Sequence, residues 1–159
     1  MTSENKRIGR VTLQELEAFS ALRQAALFPD IRQMNALQMA YIGDTLHDLY
    51  VRSHLLSGGY QVGKMHKKAV HMVSAAAQAE MLLDLEPMLT EEEQNIVRMG
   101  RNAQAKHQAP KNASPADYSH ATALEALWGY LYIKGRIERL LELMNAAINN
   151  GEKQWDRQK

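Results

Sequence analysis

Residues 37–52 read "LQMAYIGDTLHDLYVR". Leu37, Tyr41, Ile42, Leu46 and Leu49 recur at helical spacing, so the stretch predicts one helix through a core. Gly43 and Asp44 stand back to back at its centre. A glycine inside a helix costs about 0.5–1 kcal/mol relative to alanine. A carboxylate beside Ile42 and Leu46 needs a partner or a wet cleft. Two unfavourable choices at adjacent positions mark a site.

The neighbouring segments set the limits of that helix. Asn35 is placed to cap Ala36–Leu56, and Ser57-Gly58-Gly59 ends it. Upstream, Thr12 and Glu15 have capping-box spacing for a short helix over Leu13–Phe19, and Pro29 interrupts the pattern. Downstream, one long helix is expected from about Val62 to Leu85. Thr90 then caps an acidic turn, Glu91-Glu92-Glu93, whose helix reaches about Ala105. Residues 106–115 read as a loop punctuated by Pro110 and Pro115. A strongly apolar helix follows from Asp117 or Tyr118 to about Lys134, is broken by Gly135, and gives way to a last helix over Ile137–Ile148. No stretch alternates at period two, so the chain is expected to be all-α, a helical bundle. Residues 1–10 are expected to be a flexible start, 11–150 one domain, and 151–159 a polar tail bearing Trp155.

The chain has 159 residues, enough for one domain with a core that needs no staples. Cysteine is absent, which excludes disulfides and thiolate metal ligands. No run of 18 apolar residues and no apolar leader occurs, so a soluble cytoplasmic protein without membrane contact is expected. Net charge is only +1, but its distribution is uneven. No acid occurs between Leu49 and Ala79, where Arg52, Lys64, Lys67 and Lys68 lie, nor between Gln94 and Ala116, where Arg98, Arg101, Lys106 and Lys111 lie. Such segregation can build a positive groove on a nearly neutral protein, although it also describes ordinary solvated helix faces.

Glu125 repeats the oddity of Asp44, sitting in "ATALEALWGYLY" among Leu124, Leu127, Trp128 and Leu131. If the two helices pack, these carboxylates can share a hard divalent cation such as Mg²⁺, with Asp48 one turn from Asp44. The plainer alternative pairs Asp44 with a buried arginine and leaves Glu125 at a helix edge. A bound Mg²⁺ suits phosphoryl chemistry, and Asn102 with the nearby cations suits a polyphosphate backbone. His47-Asp48 resembles the pair of metal-dependent HD phosphohydrolases, but those need an upstream histidine, and His47 is the first in the chain.

Three blocks in order resemble a known family: "ALQMAYIGDTLHDLYVR" at 36–52, "EEEQNIVRMGRNAQAKHQAPKN" at 91–112 and "YSHATALEALWGYLYIKG" at 118–135. They are similar to the Mini-III ribonucleases, small relatives of ribonuclease III that keep the catalytic domain without a double-stranded-RNA-binding domain. The resemblance implies an all-α ribonuclease III-like endonuclease domain, acting as a homodimer. It implies hydrolysis of double-stranded RNA with Mg²⁺, for which Mn²⁺ can substitute, giving 5′-phosphate and 3′-hydroxyl ends. It further implies maturation of 23S ribosomal RNA precursor and a large-subunit ribosomal protein as partner. Asp44 and Glu125 match the family's catalytic, metal-binding acids. Lys64, Lys67, Lys68, Arg98, Arg101, Asn102, Lys106 and Lys111 are then the candidate RNA contacts, and Asp48 either joins the metal through water or forms a surface pair. Larger ribonuclease III enzymes carry two further acids, where this chain has Ala40 and Thr122, so one firmly held ion per subunit is expected. A helical dimer that binds duplex RNA or the ribosome without cutting is the alternative.

Overall fold

A computed structural model describes residues 13–104, 111 and 113–158. Among the described residues seven α-helices follow in order: α1 (Leu13–Ala25), α2 (Ala36–Ser57), α3 (Val62–Met72), α4 (Ala75–Leu85), α5 (Glu91–Gln104), α6 (Pro115–Ile133) and α7 (Ile137–Arg157). No strand occurs among the described residues, as the missing two-residue alternation predicts. None of these helices is long and apolar enough to cross a membrane.

Helix α6 is the axis of the bundle. Every residue from Ala121 to Ile133 is buried except Glu125, and Trp128 is wholly enclosed. A helix apolar on all sides must be surrounded, and α2, α4 and α5 pack around it. The closest approach is between α2 and α6. A Cβ on Gly43 would lie 1.7 Å from the Glu125 carbonyl oxygen, and one on Gly129 would lie 1.8 Å from that of Met39. The two backbones are therefore in direct contact, which explains why α2 accepts a mid-helix glycine.

Local signals set most of the boundaries. Asn35 and Gln38 form a reciprocal capping box at the start of α2. Thr90 and Glu93 form a second one at the start of α5. Ser114 accepts a hydrogen bond from the Asp117 amide, so α6 starts at Pro115, slightly before the expected position. Thr12 and most of the 106–115 loop lie outside the described residues. Helix α1 runs to Ala25 rather than Phe19, with the Arg23 guanidinium donating to the Ile133 carbonyl at the end of α6.

Two expectations need correction. The stretch 62–85 is not one helix: the chain breaks at Val73-Ser74, where the Ser74 hydroxyl caps α4 through the Ala77 amide and donates to the His71 carbonyl. Nor does the last helix stop at Ile148, since α7 continues to Arg157. Gly151 is buried against Met81, and the Trp155 ring lies 5.0 Å from that of His71. Glu152 anchors the last turns. It accepts from Tyr60 at 2.9 Å and Lys68 at 3.0 Å, and its other oxygen meets His54 at 2.7 Å.

Candidate active site

The α2–α6 contact brings the two suspected acids together. Asp44 follows Gly43 on α2 and is exposed, whereas Glu125 on α6 is mostly enclosed. Burial pushes the Glu125 carboxyl up to about 8, and the negative charge of Asp44 pushes in the same direction. A donor contact from the Gln78 amide opposes both. Glu125 thus keeps its proton at neutral pH unless positive charge arrives beside it. A buried carboxyl with a second negative charge near it has the chemistry to accept a cation.

Glu125 opens into a cleft of about 270 Å³ shared with Gln78, Thr122, Tyr118 and Ala75. Among the described residues no group of three acidic or histidine side chains converges on one point. The donor set is therefore two carboxylates and neighbouring neutral oxygens. That fits a hard cation retaining much of its own water, and it does not fit a closed zinc-like cage. Ala40 and Thr122, the neighbours of Asp44 and Glu125 one turn back, are both buried and supply no carboxylate.

His47 takes no part in this chemistry. Its ring is buried between α3 and α6, where Nδ1 accepts from the Trp128 indole N–H and Nε2 faces the Met72 carbonyl, each at 3.1 Å. An indole can only donate and a carbonyl can only accept, so the proton is on Nε2. Burial lowers its proton affinity, in keeping with a neutral ring. This disposes of the HD phosphohydrolase pattern. Asp48 is held by Arg52 at 3.0 Å, one turn away from Asp44.

The candidate RNA contacts divide into groups. Lys64 and Lys67 are exposed on α3, with the Lys64 ammonium 5.1 Å from the centre of the Tyr60 ring. Lys68 is a correction, because it is 1% exposed and its ammonium is bonded to Tyr60 and Glu152. It holds α3 to α7 and cannot reach a phosphate. Arg98 is exposed and bonds Asn95, while Arg101 lies 3.9 Å from Glu86 across a cleft of about 320 Å³ that both arginines line. Asn102 and Lys111 are exposed, and Lys106 falls outside the described residues. A larger cleft, about 610 Å³, lies at the start of α5, but Glu92 and Glu93 there are already committed to Arg136 and Arg139.

The sequence reading missed Gln78. Its only signal was an amide standing among alanines in "SAAAQAEML", on the buried face of α4.

Comparison with known proteins identifies the family. Residues 37–136 match the family model of the Ribonuclease III domain, a span that includes both acids. A Mini-ribonuclease 3 of Symbiobacterium thermophilum is 51% identical over 114 residues, covering 71% of this chain and 87% of that protein. One from Brevibacillus brevis is 45% identical over 128 residues, covering 80% and 95% respectively. The crystal structure of a Fusobacterium nucleatum protein superposes with a TM-score of 0.68 at 28% identity, covering 77% of this chain and 98% of that one. With the helical architecture, the paired acids and these likenesses in agreement, the chain belongs to the ribonuclease III family of endoribonucleases, among its Mini-ribonuclease 3 members.

Proposed function

We propose that this endoribonuclease is specific for double-stranded RNA, depends on Mg²⁺ and matures the ends of 23S ribosomal RNA precursor as a cytoplasmic homodimer. The observation that supports this reading is the backbone contact of Gly43, the residue before Asp44, with Glu125, whose carboxyl responds to the Asp44 charge.

In this mechanism Asp44 and Glu125 would hold the cation, and Asp48, paired with Arg52, would contribute only through water. A bound Mg²⁺ supplies charge neutralisation at the scissile phosphate and a water acidified enough to attack it. Everything else falls to the chain's own groups. Glu125, mostly enclosed on α6, keeps its proton at neutral pH and would release it only to a cation beside it. Lys64, Lys67, Arg98, Arg101, Asn102, Lys106 and Lys111 grip phosphates on either side of the cut. The products are a 5′-phosphate and a 3′-hydroxyl.

Recognition by shape is consistent with this set of residues. A-form RNA hides its base edges in a narrow major groove and presents phosphates and 2′-hydroxyls instead. Cations spread over two helices and the 106–111 segment suit a backbone rather than a base sequence. Tyr41 is 84% exposed on α2, one turn from Asp44, and covering it in a homodimer would place two sites across one duplex. A large-subunit ribosomal protein that presents the precursor would compensate for the small footprint of each subunit.

Incubating labelled duplex RNA with the protein and Mg²⁺, with EDTA as control, tests the reading. Asp44→Asn and Glu125→Gln should each lower turnover at least about a hundredfold, with duplex binding largely kept. Cutting at wild-type rates by either variant would overturn it. Binding without cutting by the wild type would favour the non-catalytic dimer.

A further inference from the structure

Gln78 is the one buried polar side chain in the Glu125 cleft whose hydrogen bonding is incomplete. The residue is 2% exposed. Its Nε2 donates to the Val73 carbonyl at 2.9 Å and lies against the Glu125 carboxylate as a donor. A carbonyl cannot donate, so this bond fixes which way the amide points. Its Oε1, the other end of the amide, is buried with no partner. A buried acceptor left unpaired costs free energy, on the order of 1–3 kcal/mol, so its persistence beside a cation site asks for a donor that arrives with a ligand.

We propose that Gln78 is a positioning residue of the catalytic site, whose Nε2 orients the Glu125 carboxylate while its Oε1 accepts a hydrogen bond from the hydration water of the bound divalent cation. This rests on the nuclease reading above and goes beyond it by naming the group that steadies the second acid. The chemistry is complementary. A hydrated cation offers only donors around its rim, and Oε1 offers only lone pairs. Groups that orient a metal ligand from behind usually change metal affinity by about tenfold or more. The break between α3 and α4 makes the arrangement possible. It ends α3 at Met72, leaves the Val73 carbonyl available, and starts α4 so that its first full turn delivers Gln78 to the cleft beside Glu125.

The test measures Mn²⁺ affinity by electron paramagnetic resonance, alongside kcat and KM on duplex RNA and metal-free melting, for the wild type, Gln78→Leu and Gln78→Glu. Gln78→Leu should weaken Mn²⁺ binding about tenfold and lower kcat by a similar factor, with KM for the duplex nearly unchanged. Gln78→Glu restores an acceptor at the same reach and should bind Mn²⁺ more tightly than Gln78→Leu. A folded Gln78→Leu that binds Mn²⁺ as the wild type does would overturn the proposal. If Gln78→Leu fails to fold, Gln78→Glu decides: Mn²⁺ affinity at or above wild type supports the role, and weaker binding overturns it. A wild type that binds Mn²⁺ and cuts RNA while both variants match it would sink the role of Gln78 alone. A wild type that neither binds nor cuts would sink the nuclease reading with it.

Discussion

Gly43 and Glu125 touch through their backbones: a methyl group on Gly43 would stand 1.7 Å from the Glu125 carbonyl oxygen and 2.6 Å from its carbon. The glycine on one helix thus sets the position of an acid on another. Asp44 follows Gly43 directly, so one contact determines how far apart the two carboxylates can lie.

Gly43→Ala therefore has a defined expected outcome. The obstacle is main chain, which cannot swing aside as a side-chain tip would, so α2 and α6 must separate. Overpacking in a filled core usually costs 1–3 kcal/mol, and a main-chain clash belongs at or above the top of that range, about 3 kcal/mol. Thermal melting should show the loss. Any protein that remains folded should bind Mg²⁺ more weakly, because the acids move with their helices. A variant with wild-type melting and metal affinity would show that the contact does not control the site.

The raised proton affinity of Glu125 predicts a pH dependence with a definite sign. Its carboxyl is pushed from an ordinary 4.5 to about 8 by burial and by Asp44. Below the lower value both the folded and unfolded chains carry the proton, and the contribution to stability is complete. Between the two values the unfolded chain releases it while the folded chain keeps it, so metal-free stability falls until pH passes about 8. Cation affinity runs the other way. The ion must displace that proton, so affinity should rise by up to about tenfold per pH unit until Glu125 is ionised. Melting in EDTA and calorimetric Mg²⁺ titration across this window check both slopes, and Glu125→Gln should flatten them.

Elements announced by neighbouring residues were legible in the sequence. Asn35 with Gln38 and Thr90 with Glu93 carry their capping partners three positions away, and α6 declares itself by its strongly apolar composition. The errors share the opposite property. Nothing adjacent to Ser74 reads as a stop, because the break is completed by a serine cap without glycine or proline. The last helix reads as ending at Ile148, yet Gly151 beyond it packs at long range, since a Cβ there would meet Met81 at 2.5 Å. Lys68 reads as a free cation because no acid lies near it in sequence, and its partner Glu152 is 84 residues away. At the site, the residue types of Asp44 and Glu125 suggested the chemistry. Their adjacency and the part taken by Gln78 depend on how three helices pack.

The placement of Lys68 separates it experimentally from Lys67, its neighbour in sequence. Lys67 is exposed, whereas Lys68 is enclosed and bonded to Tyr60 and Glu152. Burial alone would raise the Glu152 carboxyl, but hydrogen bonds from His54, Lys68 and Tyr60 overcome it and hold it at about 2. Lys68→Ala removes one of the three donors to Glu152 and leaves that carboxylate partly enclosed. The expected loss is about 3 kcal/mol of folding stability, at the low end for breaking a buried pair because Glu152 keeps some solvent contact. Stability due to Glu152 should be full above its unfolded value near 4.5 and fade as pH falls toward about 2. Lys67→Ala should leave melting unchanged and weaken duplex binding, with a shallower dependence on salt because one fewer counterion is released. Melting curves and salt-titrated binding of both variants check the contrast. Equal loss of RNA affinity in both, with equal stability, would mean that Lys68 reaches the nucleic acid after all.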